Sequence, residues 1–217
     1  MPDDIGPAAI ATETLTCTTS DGLRLEAEIR RAADPRGLVV LAHPHPQQGG
    51  SMRSLVTSEL FRSVPERGLT ALRFNFRGVE GSEGSYGAGL DEAQDIVAAI
   101  DEISEARPPG VPLVLAGWSF GADVSLSVLD DRLQGWFLIA SPLRILPEAA
   151  LVAAHDPRPK VFAIPENDEF RVPDSVRSYT AAWRNVTIHT IPGAGHYLVG
   201  KTAQVAELLV SFATSLA

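Results

Sequence analysis

One serine in this sequence stands where a nucleophile could act. Ser119 is the centre of a Gly-Trp-Ser-Phe-Gly motif at 117–121, which follows an apolar stretch beginning at Val111 and precedes residues with helical spacing. A sharp turn between a strand and a helix lifts a serine hydroxyl clear of the backbone, and glycine on either side avoids a collision there. The helix start adds free N–H groups that stabilise an oxyanion. The pattern predicts a nucleophilic serine; the alternative is a buried serine in an ordinary turn.

A serine nucleophile needs a base and an acid that orients the base. His196 follows the predicted strand Val186–Ile191, in a glycine-containing loop that is free to swing the imidazole toward the serine. Asp168 follows the apolar stretch Val161–Ile164. The order Ser, Asp, His along the chain is the order used by hydrolases whose serine sits on a strand-to-helix turn. We therefore predict that Ser119, Asp168 and His196 are the catalytic residues.

Other acids and histidines compete for these roles. Glu166 and Glu169 flank Asp168 and could take its place beside the imidazole. His155 lies in an irregular segment and His189 lies inside a strand pattern. We interpret both of these histidines as structural or exposed residues.

The loop that begins His43-Pro-His45-Pro predicts a further part of the site. Proline has no backbone N–H, so His45 is the one residue of 44–46 that can donate a backbone hydrogen bond. Together with the N–H of Phe120 it would form an oxyanion hole, in which a donor is typically worth about 3–4 kcal/mol. The alternative is a metal site built on His43 and His45, but the sequence offers no convincing third and fourth ligand. We predict no metal and no cofactor, and a buried scaffold role for His43.

Composition narrows the possible partners. The 217 residues carry a net charge of −9 without a cluster of lysine or arginine, which disfavours nucleic acid. The single cysteine, Cys17, excludes an internal disulfide. No apolar run approaches the ~20 residues that cross a bilayer. The first residues resemble no secretory signal. We expect a cytoplasmic protein with a small-molecule substrate and no membrane partner; the oligomeric state is left open.

The order of the predicted elements indicates the fold class. Two alternating stretches, Thr14–Thr19 and Leu23–Arg30, flank a turn and predict a hairpin. Apolar strands then alternate with helical patterns to the end of the chain, which predicts an α/β protein with a doubly wound, mostly parallel sheet and helices on both faces. We expect one domain over 1–217, with 1–11 as a loosely ordered start.

One of these helices flanks the predicted oxyanion loop. The pattern predicts a helix over Ser54–Arg67, with Leu55, Leu60 and Phe61 directed inward. Pro65 should end or bend its last turn.

Three motifs together resemble those of the α/β-hydrolase superfamily, and the match covers nearly the whole chain. They are His-Pro-His-Pro-x-x-Gly-Gly at His43–Gly50, Asn-Phe-Arg-Gly at Asn75–Gly78 and Gly-x-Ser-Phe-Gly at Gly117–Gly121. The chain looks closest to the small lidless branch, near dienelactone-hydrolase-like proteins and acyl esterases. The resemblance implies an eight-stranded sheet whose second strand is antiparallel. It also implies a triad of Ser119, His196 and Asp168 with oxyanion donors at His45 and Phe120.

Two residues depart from the pattern of that branch. Glu80 stands where such proteins usually have glycine, so its loop could bend differently or place a carboxylate at the rim of the site. Asp123 stands in the first turns of the helix after the serine, where an apolar or aromatic residue is usual. A carboxylate there suits the helix dipole, but if it is buried it needs a partner.

The predicted chemistry is hydrolysis of carboxylic esters by two-step acyl transfer. The short segment between the strands near 140 and 161 leaves no room for a sizeable cap domain, which favours small or exposed acyl groups. We expect substrate contacts from four residues at the rim of the site: Tyr86, Leu143, Ile145 and Tyr197. The same triad could act on thioesters or peptides, and a non-catalytic binding protein with this fold is the alternative from another class.

Overall fold

The strands form one sheet in the computed structural model, which describes residues 10–217. In chain order they are β1 (Glu13–Thr18), β2 (Arg24–Arg30), β3 (Gly37–Ala42), β4 (Leu69–Phe74), β5 (Leu113–Trp118), β6 (Gly135–Ile139), β7 (Lys160–Pro165) and β8 (Val186–Ile191). Over the described residues this eight-stranded sheet has the order β1-β2-β4-β3-β5-β6-β7-β8. β2 runs antiparallel to both of its neighbours, and all the other pairs are parallel. The predicted sheet is confirmed, including its antiparallel second strand.

Five α-helices cover the two faces of the sheet in the described part of the chain. They are α1 (Leu55–Ser63), α2 (Glu92–Ser104), α3 (Phe120–Ser125), α4 (Pro173–Tyr179) and α5 (Thr202–Thr214). α1 and α5 share one apolar core with Val39 and Leu41 of β3, whereas α2, α3 and α4 share the other with Leu38 and Val40. Successive strand residues point to opposite faces, so a strand covered on both sides is apolar throughout. The predicted doubly wound arrangement is confirmed.

The first helix differs from its prediction at both ends. It stops at Ser63, and Pro65 opens a separate 3₁₀ turn because proline cannot continue the helical hydrogen bonding. Leu60 and Phe61 are buried as expected. The prediction for Leu55 was wrong: its side chain is 46% exposed, because the first residue of the helix projects beyond the sheet and lines a surface cavity.

The segment between β6 and β7 is short and carries no cap domain, as predicted. Residues 140–159 contain two 3₁₀ turns, Glu148–Ala150 and Val152–His155. No helix within residues 10–217 is long and apolar enough to cross a membrane. Of the expected loose start at 1–11, residues 1–9 lie outside the described residues. The carbonyl of Ile10 accepts two hydrogen bonds from the Arg30 guanidinium.

Candidate active site

Ser119 occupies a tight turn between β5 and α3. Its φ of 56° lies in the left-handed region, which a residue other than glycine adopts only where its surroundings enforce it. A Cβ on Gly117 would lie 2.3 Å from the carbonyl oxygen of Gly121, so the turn requires glycine at that position. The predicted strand–turn–helix geometry is therefore present at the serine.

The start of α3 packs directly against the loop that follows β3. β3 and β5 are neighbours in the sheet, with Ala42 opposite Gly117. A Cβ on Gly121 would lie 2.4 Å from the carbonyl oxygen of Ala42, so glycine is what allows this approach. The chain leaves these two strands toward opposite sides, and such a crevice is where doubly wound proteins place their ligands.

The side chains of Ser119, His196 and Asp168 meet at this edge of the sheet. His196 Nε2 lies 2.9 Å from Ser119 Oγ, and His196 Nδ1 lies 2.9 Å from Asp168 Oδ2. The side chains of His196 and Asp168 are only 5% and 2% exposed. With Nδ1–H donating to the carboxylate, Nε2 is left to accept the serine proton. The structure thus brings together all three residues that the sequence analysis selected.

His196 has to reach back across the sheet, because three strand spacings of about 4.8 Å separate β8 from β5. Among the hydrogen bonds that hold its loop in place, three involve side chains. Glu169 accepts from the backbone N–H of His196 at 3.0 Å, and Glu166 accepts from the N–H of Gly193 at 2.8 Å. The indole of Trp118 donates to the carbonyl of His196 at 3.3 Å. The two glutamates that competed with Asp168 therefore bind the backbone of the histidine loop.

The carboxylate of Asp168 is fixed by its own loop. Its Oδ1 accepts backbone N–H bonds from Phe170 at 2.8 Å and Arg171 at 3.2 Å, which leaves Oδ2 for the imidazole. The ring of Phe170 stands edge-on to the His196 ring, with 4.5 Å between their centroids. Elsewhere, His155 is exposed in a 3₁₀ turn and His189 is half-buried within β8.

The two predicted oxyanion donors lie beside each other. The rings of His45 and Phe120 pack together with 5.0 Å between their centroids. Among residues 10–217 neither backbone N–H donates to a protein acceptor. The His45 ring accepts a bond from the N–H of Gln47 at 3.2 Å, and burial lowers its pKa. The imidazole is therefore occupied with local structure while its backbone N–H remains available.

His43 is a buried, neutral part of the scaffold. Its Nε2 accepts from the backbone N–H of Phe76 at 3.0 Å, so its Nδ1 carries the hydrogen and donates to the carbonyl of Pro44 at 2.6 Å. Complete burial lowers the pKa of the ring to about 4. With both ring nitrogens engaged, His43 has no lone pair for a metal. No group of three or more His, Cys, Asp or Glu side chains is placed to hold a metal ion within the described residues.

Two shallow cavities meet at Ser119. The first, of about 200 Å³, is lined by His196 and by residues at or beyond the C-terminal ends of β3, β5, β7 and β8, among them Gly50, Leu55, Trp118 and Tyr197. The second, of about 170 Å³, is lined by the segment after β6, namely Pro142, Arg144 and Ile145. His45, Gln48, Ser119 and Phe170 line both. Ser119 thus stands between two small, open compartments.

The four predicted rim residues have different positions. Tyr197 is 63% exposed and lines the first cavity, and Ile145 lines the second. Tyr86 lines neither, but its hydroxyl lies 3.4 Å from His45 Nε2. Leu143 is 3% exposed and packs in the core beneath the sheet edge, so the prediction of a rim position was wrong for this residue.

Asp123 finds its partners in the segment after β6. The carboxylate is fully buried and accepts hydrogen bonds from the Ser141 hydroxyl at 2.6 Å and from the backbone N–H groups of Leu143, Arg144 and Ile145 at 2.9–3.0 Å. Burial raises its pKa, and these bonds act in the opposite direction. One carboxylate therefore fixes the wall of the second cavity.

Glu80 belongs to an ionic network outside both cavities. Its φ of 47° explains why glycine is usual at this position. The carboxylate accepts from the Asn75 amide at 2.9 Å and pairs with Arg53, which also pairs with Glu26 at 2.9 Å. Asn75 in turn accepts from the N–H of Met52 at 2.8 Å. The network ties the segment after the oxyanion loop to β2.

Gln48, Phe170 and Arg144 are among the cavity-lining residues that sequence reasoning missed. Gln48 lies inside the His-Pro-His-Pro-x-x-Gly-Gly motif, at a position that the motif leaves variable. Phe170 is two residues beyond Asp168, and this nearness to the predicted acid was a usable signal. Arg144 lies between the two rim candidates Leu143 and Ile145 and could have been found from them.

The fold agrees with solved structures of similar chains. The chain has the α/β-hydrolase fold. It is similar to an alpha-beta serine hydrolase homologue from Coxiella burnetii, with 29% identity, a TM-score of 0.81 and coverage of 92% of this chain and 96% of that one. It is also similar to an α/β serine hydrolase without a lid from Xanthomonas campestris, with 26% identity, a TM-score of 0.79 and coverage of 98% and 97%.

A sequence relative comes from Rickettsia prowazekii. This uncharacterised protein is 28% identical over 196 residues, which cover 86% of this chain and 82% of the relative. No family model matches the chain. The solved neighbours therefore support a hydrolase role, while the bond that is cleaved has to be argued from the site.

Proposed function

We propose that this protein is a serine hydrolase that cleaves carboxylic esters through Ser119, His196 and Asp168. The observation that carries the proposal is the unbroken chain of two 2.9 Å contacts from the serine oxygen through the imidazole to the carboxylate. Supporting it, the serine sits at a strained turn between two open cavities, and its neighbours in structure include serine hydrolases.

In the first step His196 takes the proton of Ser119 as the serine oxygen attacks the ester carbonyl. Asp168 stabilises the imidazolium, and the backbone N–H groups of His45 and Phe120 hold the oxyanion. The imidazolium then protonates the departing alcohol. Water then attacks the acyl carbonyl as His196 takes its proton, and the acid leaves as the imidazolium returns that proton to the Ser119 oxygen. The two steps together use only the side chains and backbone of this protein, the ester and water.

The two cavities favour small acyl groups. At about 200 Å³ and 170 Å³, both are below the usual size of enclosed ligand sites, and no cap domain extends them. A long acyl chain would therefore leave most of its length in water and gain little binding from burial.

A fluorophosphonate probe tests the nucleophile. We expect the probe to attach to Ser119, as located by peptide mass spectrometry. Ser119→Ala should abolish labelling. Ser127→Ala, at a serine in the turn that follows α3, serves as the matched control and should label normally. An unlabelled, folded wild-type protein would instead support a binding role for the fold.

The bond and chain length are tested with 4-nitrophenyl esters. We expect kcat/KM to be highest for acetate or butyrate esters and to fall for decanoate. Activity on acyl thioesters or peptides that exceeds activity on every ester would reassign the chemistry to those bonds. A kcat/KM that rises through decanoate would contradict the small-acyl proposal.

A further inference from the structure

The second cavity contains a charge that the proposed mechanism does not use. Arg144 is the one lysine or arginine among the described residues that line either cavity. No aspartate or glutamate lines the second cavity. The net charge of −9 repels anions from the protein at long range. Arg144 therefore supplies a local attraction where the whole chain supplies none.

The guanidinium of Arg144 is positioned without being neutralised. Its backbone N–H is held by Asp123 at 2.9 Å, and its guanidinium carbon lies 4.5 Å from the centroid of the Phe170 ring. Phe170 in turn packs on His196. Within residues 10–217 the Arg144 guanidinium pairs with no carboxylate, in contrast to those of Arg53, Arg73 and Arg77. Its donors are left for a ligand.

The two cavities differ in which half of an ester each can receive. The departing alcohol must lie near His196 Nε2 to be protonated. His196 lines the first cavity and not the second, so the alcohol occupies the first. The acyl group then extends into the second cavity, toward Arg144.

We propose that the preferred acyl group carries a carboxylate at its far end, as in half-esters of short dicarboxylic acids such as succinate. This inference rests on the proposed ester hydrolysis. Guanidinium binds carboxylate through two parallel N–H bonds, and a cavity of about 170 Å³ admits only a short spacer between the two carbonyl carbons. Ser119 attacks the ester carbonyl, the alcohol leaves with the proton from His196, and water releases the dicarboxylate.

Monoethyl succinate and ethyl 4-methylpentanoate form a matched pair, since an isopropyl group replaces the carboxylate at nearly the same shape. Acid release in a pH-stat gives kcat/KM for both. We expect the wild type to favour monoethyl succinate by about tenfold or more, mainly through KM, as befits a hydrogen bond to a charged group. Arg144→Gln should reduce that ratio about tenfold, and Arg144→Lys should restore part of it. Arg177→Gln, an exposed arginine on α4, should leave both rates unchanged.

A ratio near one in the wild type, or a ratio that Arg144→Gln leaves unchanged, overturns the inference. Calorimetric binding of both esters to Ser119→Ala protein separates this outcome from a failure of the proposed hydrolysis, because it needs no turnover. Tighter binding of monoethyl succinate, lost in the Ser119→Ala, Arg144→Gln double variant, supports the carboxylate subsite even if neither ester is cleaved. Equal binding of the two esters overturns it.

Discussion

Two loops at the same edge of the sheet each bury a histidine, and they use it in opposite ways. His43 follows β3 and binds two backbone groups, the carbonyl of Pro44 and the N–H of Phe76. His196 follows β8 and binds two side chains, the hydroxyl of Ser119 and the carboxylate of Asp168. Both rings are almost fully buried. Burial alone therefore does not distinguish the histidine that we propose to be catalytic from the structural one.

The partners of the ring nitrogens make the difference. Backbone groups cannot change their protonation, so His43 is locked in one neutral tautomer. In the proposed mechanism, a hydroxyl that can lose a proton and a carboxylate that can stabilise a charge allow His196 to take up that proton and return it. His45, two residues beyond His43, is intermediate: we propose that its backbone acts and that its ring does not.

Replacing His196, the proposed general base, should have the largest effect on the rate of hydrolysis. His196→Gln should lower kcat for ester hydrolysis by about 10⁴-fold or more, since the base is lost. Thermal unfolding should change little by comparison. The measurement is steady-state hydrolysis of 4-nitrophenyl acetate beside a melting curve. Activity within tenfold of the wild type would remove His196 from its proposed role.

Replacing the structural ring should act on stability and its pH dependence. The folded pKa of His43, about 4, lies below the ordinary value of 6.5, so the unfolded chain binds the extra proton first. Wild-type stability should therefore fall as the pH drops from 6.5 to about 4, with His43 contributing about 3 kcal/mol of that loss. Urea unfolding of wild type and His43→Gln across this range gives the difference. Parallel pH profiles for the two proteins would mean that His43 is not held neutral.

A substitution at His45 tests whether its backbone N–H or its imidazole ring takes part in the proposed chemistry. His45→Ala keeps the backbone N–H and removes the ring that packs on Phe120 and Tyr86. We expect kcat to fall by less than about tenfold, because the loss of an oxyanion donor itself would cost about 10²–10³-fold. A loss of 10³-fold in folded His45→Ala protein would assign the chemistry to the imidazole instead.

The smallest effect concerns the support of the His196 loop. Glu169→Ala removes the acceptor for the His196 backbone N–H and should lower kcat about fivefold, which corresponds to about 1 kcal/mol for one hydrogen bond, with KM nearly unchanged. Glu169→Gln keeps an acceptor oxygen and should recover most of the rate. Equal losses in both variants would show that the negative charge of Glu169, rather than its hydrogen bond, matters.

Much of this architecture could be predicted from the sequence because the relevant signals are local. β3 spans the same residues as its apolar stretch, Gly37–Ala42. The strand–turn–helix around Ser119 follows from glycine at positions where an added Cβ would lie 2.3–2.4 Å from a backbone carbonyl oxygen. The meeting of Asp168 and His196 follows from one rule, that parallel strands bring their C-terminal ends to the same edge.

The remaining details depend on contacts that no local pattern encodes. The partners of buried Asp123 are a hydroxyl and three backbone groups some twenty residues later in the chain. The exposed position of Leu55 depends on how far the first turn of α1 projects beyond the edge of the sheet. The buried position of Leu143 depends on the same Asp123 bonds, which hold it at a φ of 50°. These three features can be predicted only when the positions of the residues packed around them are known.

The hydrogen bonds of the Asp123 carboxylate have a consequence for how the proposed substrate preference could evolve. Because Asp123 binds the backbone N–H groups of residues 144 and 145, the side chains at these positions contribute little to the conformation of the segment. A library of variants at these two sites should therefore stay folded while its members diverge in the acids they release. Asp123 would hold the backbone constant while substitutions at the two positions alter which acyl groups are accepted.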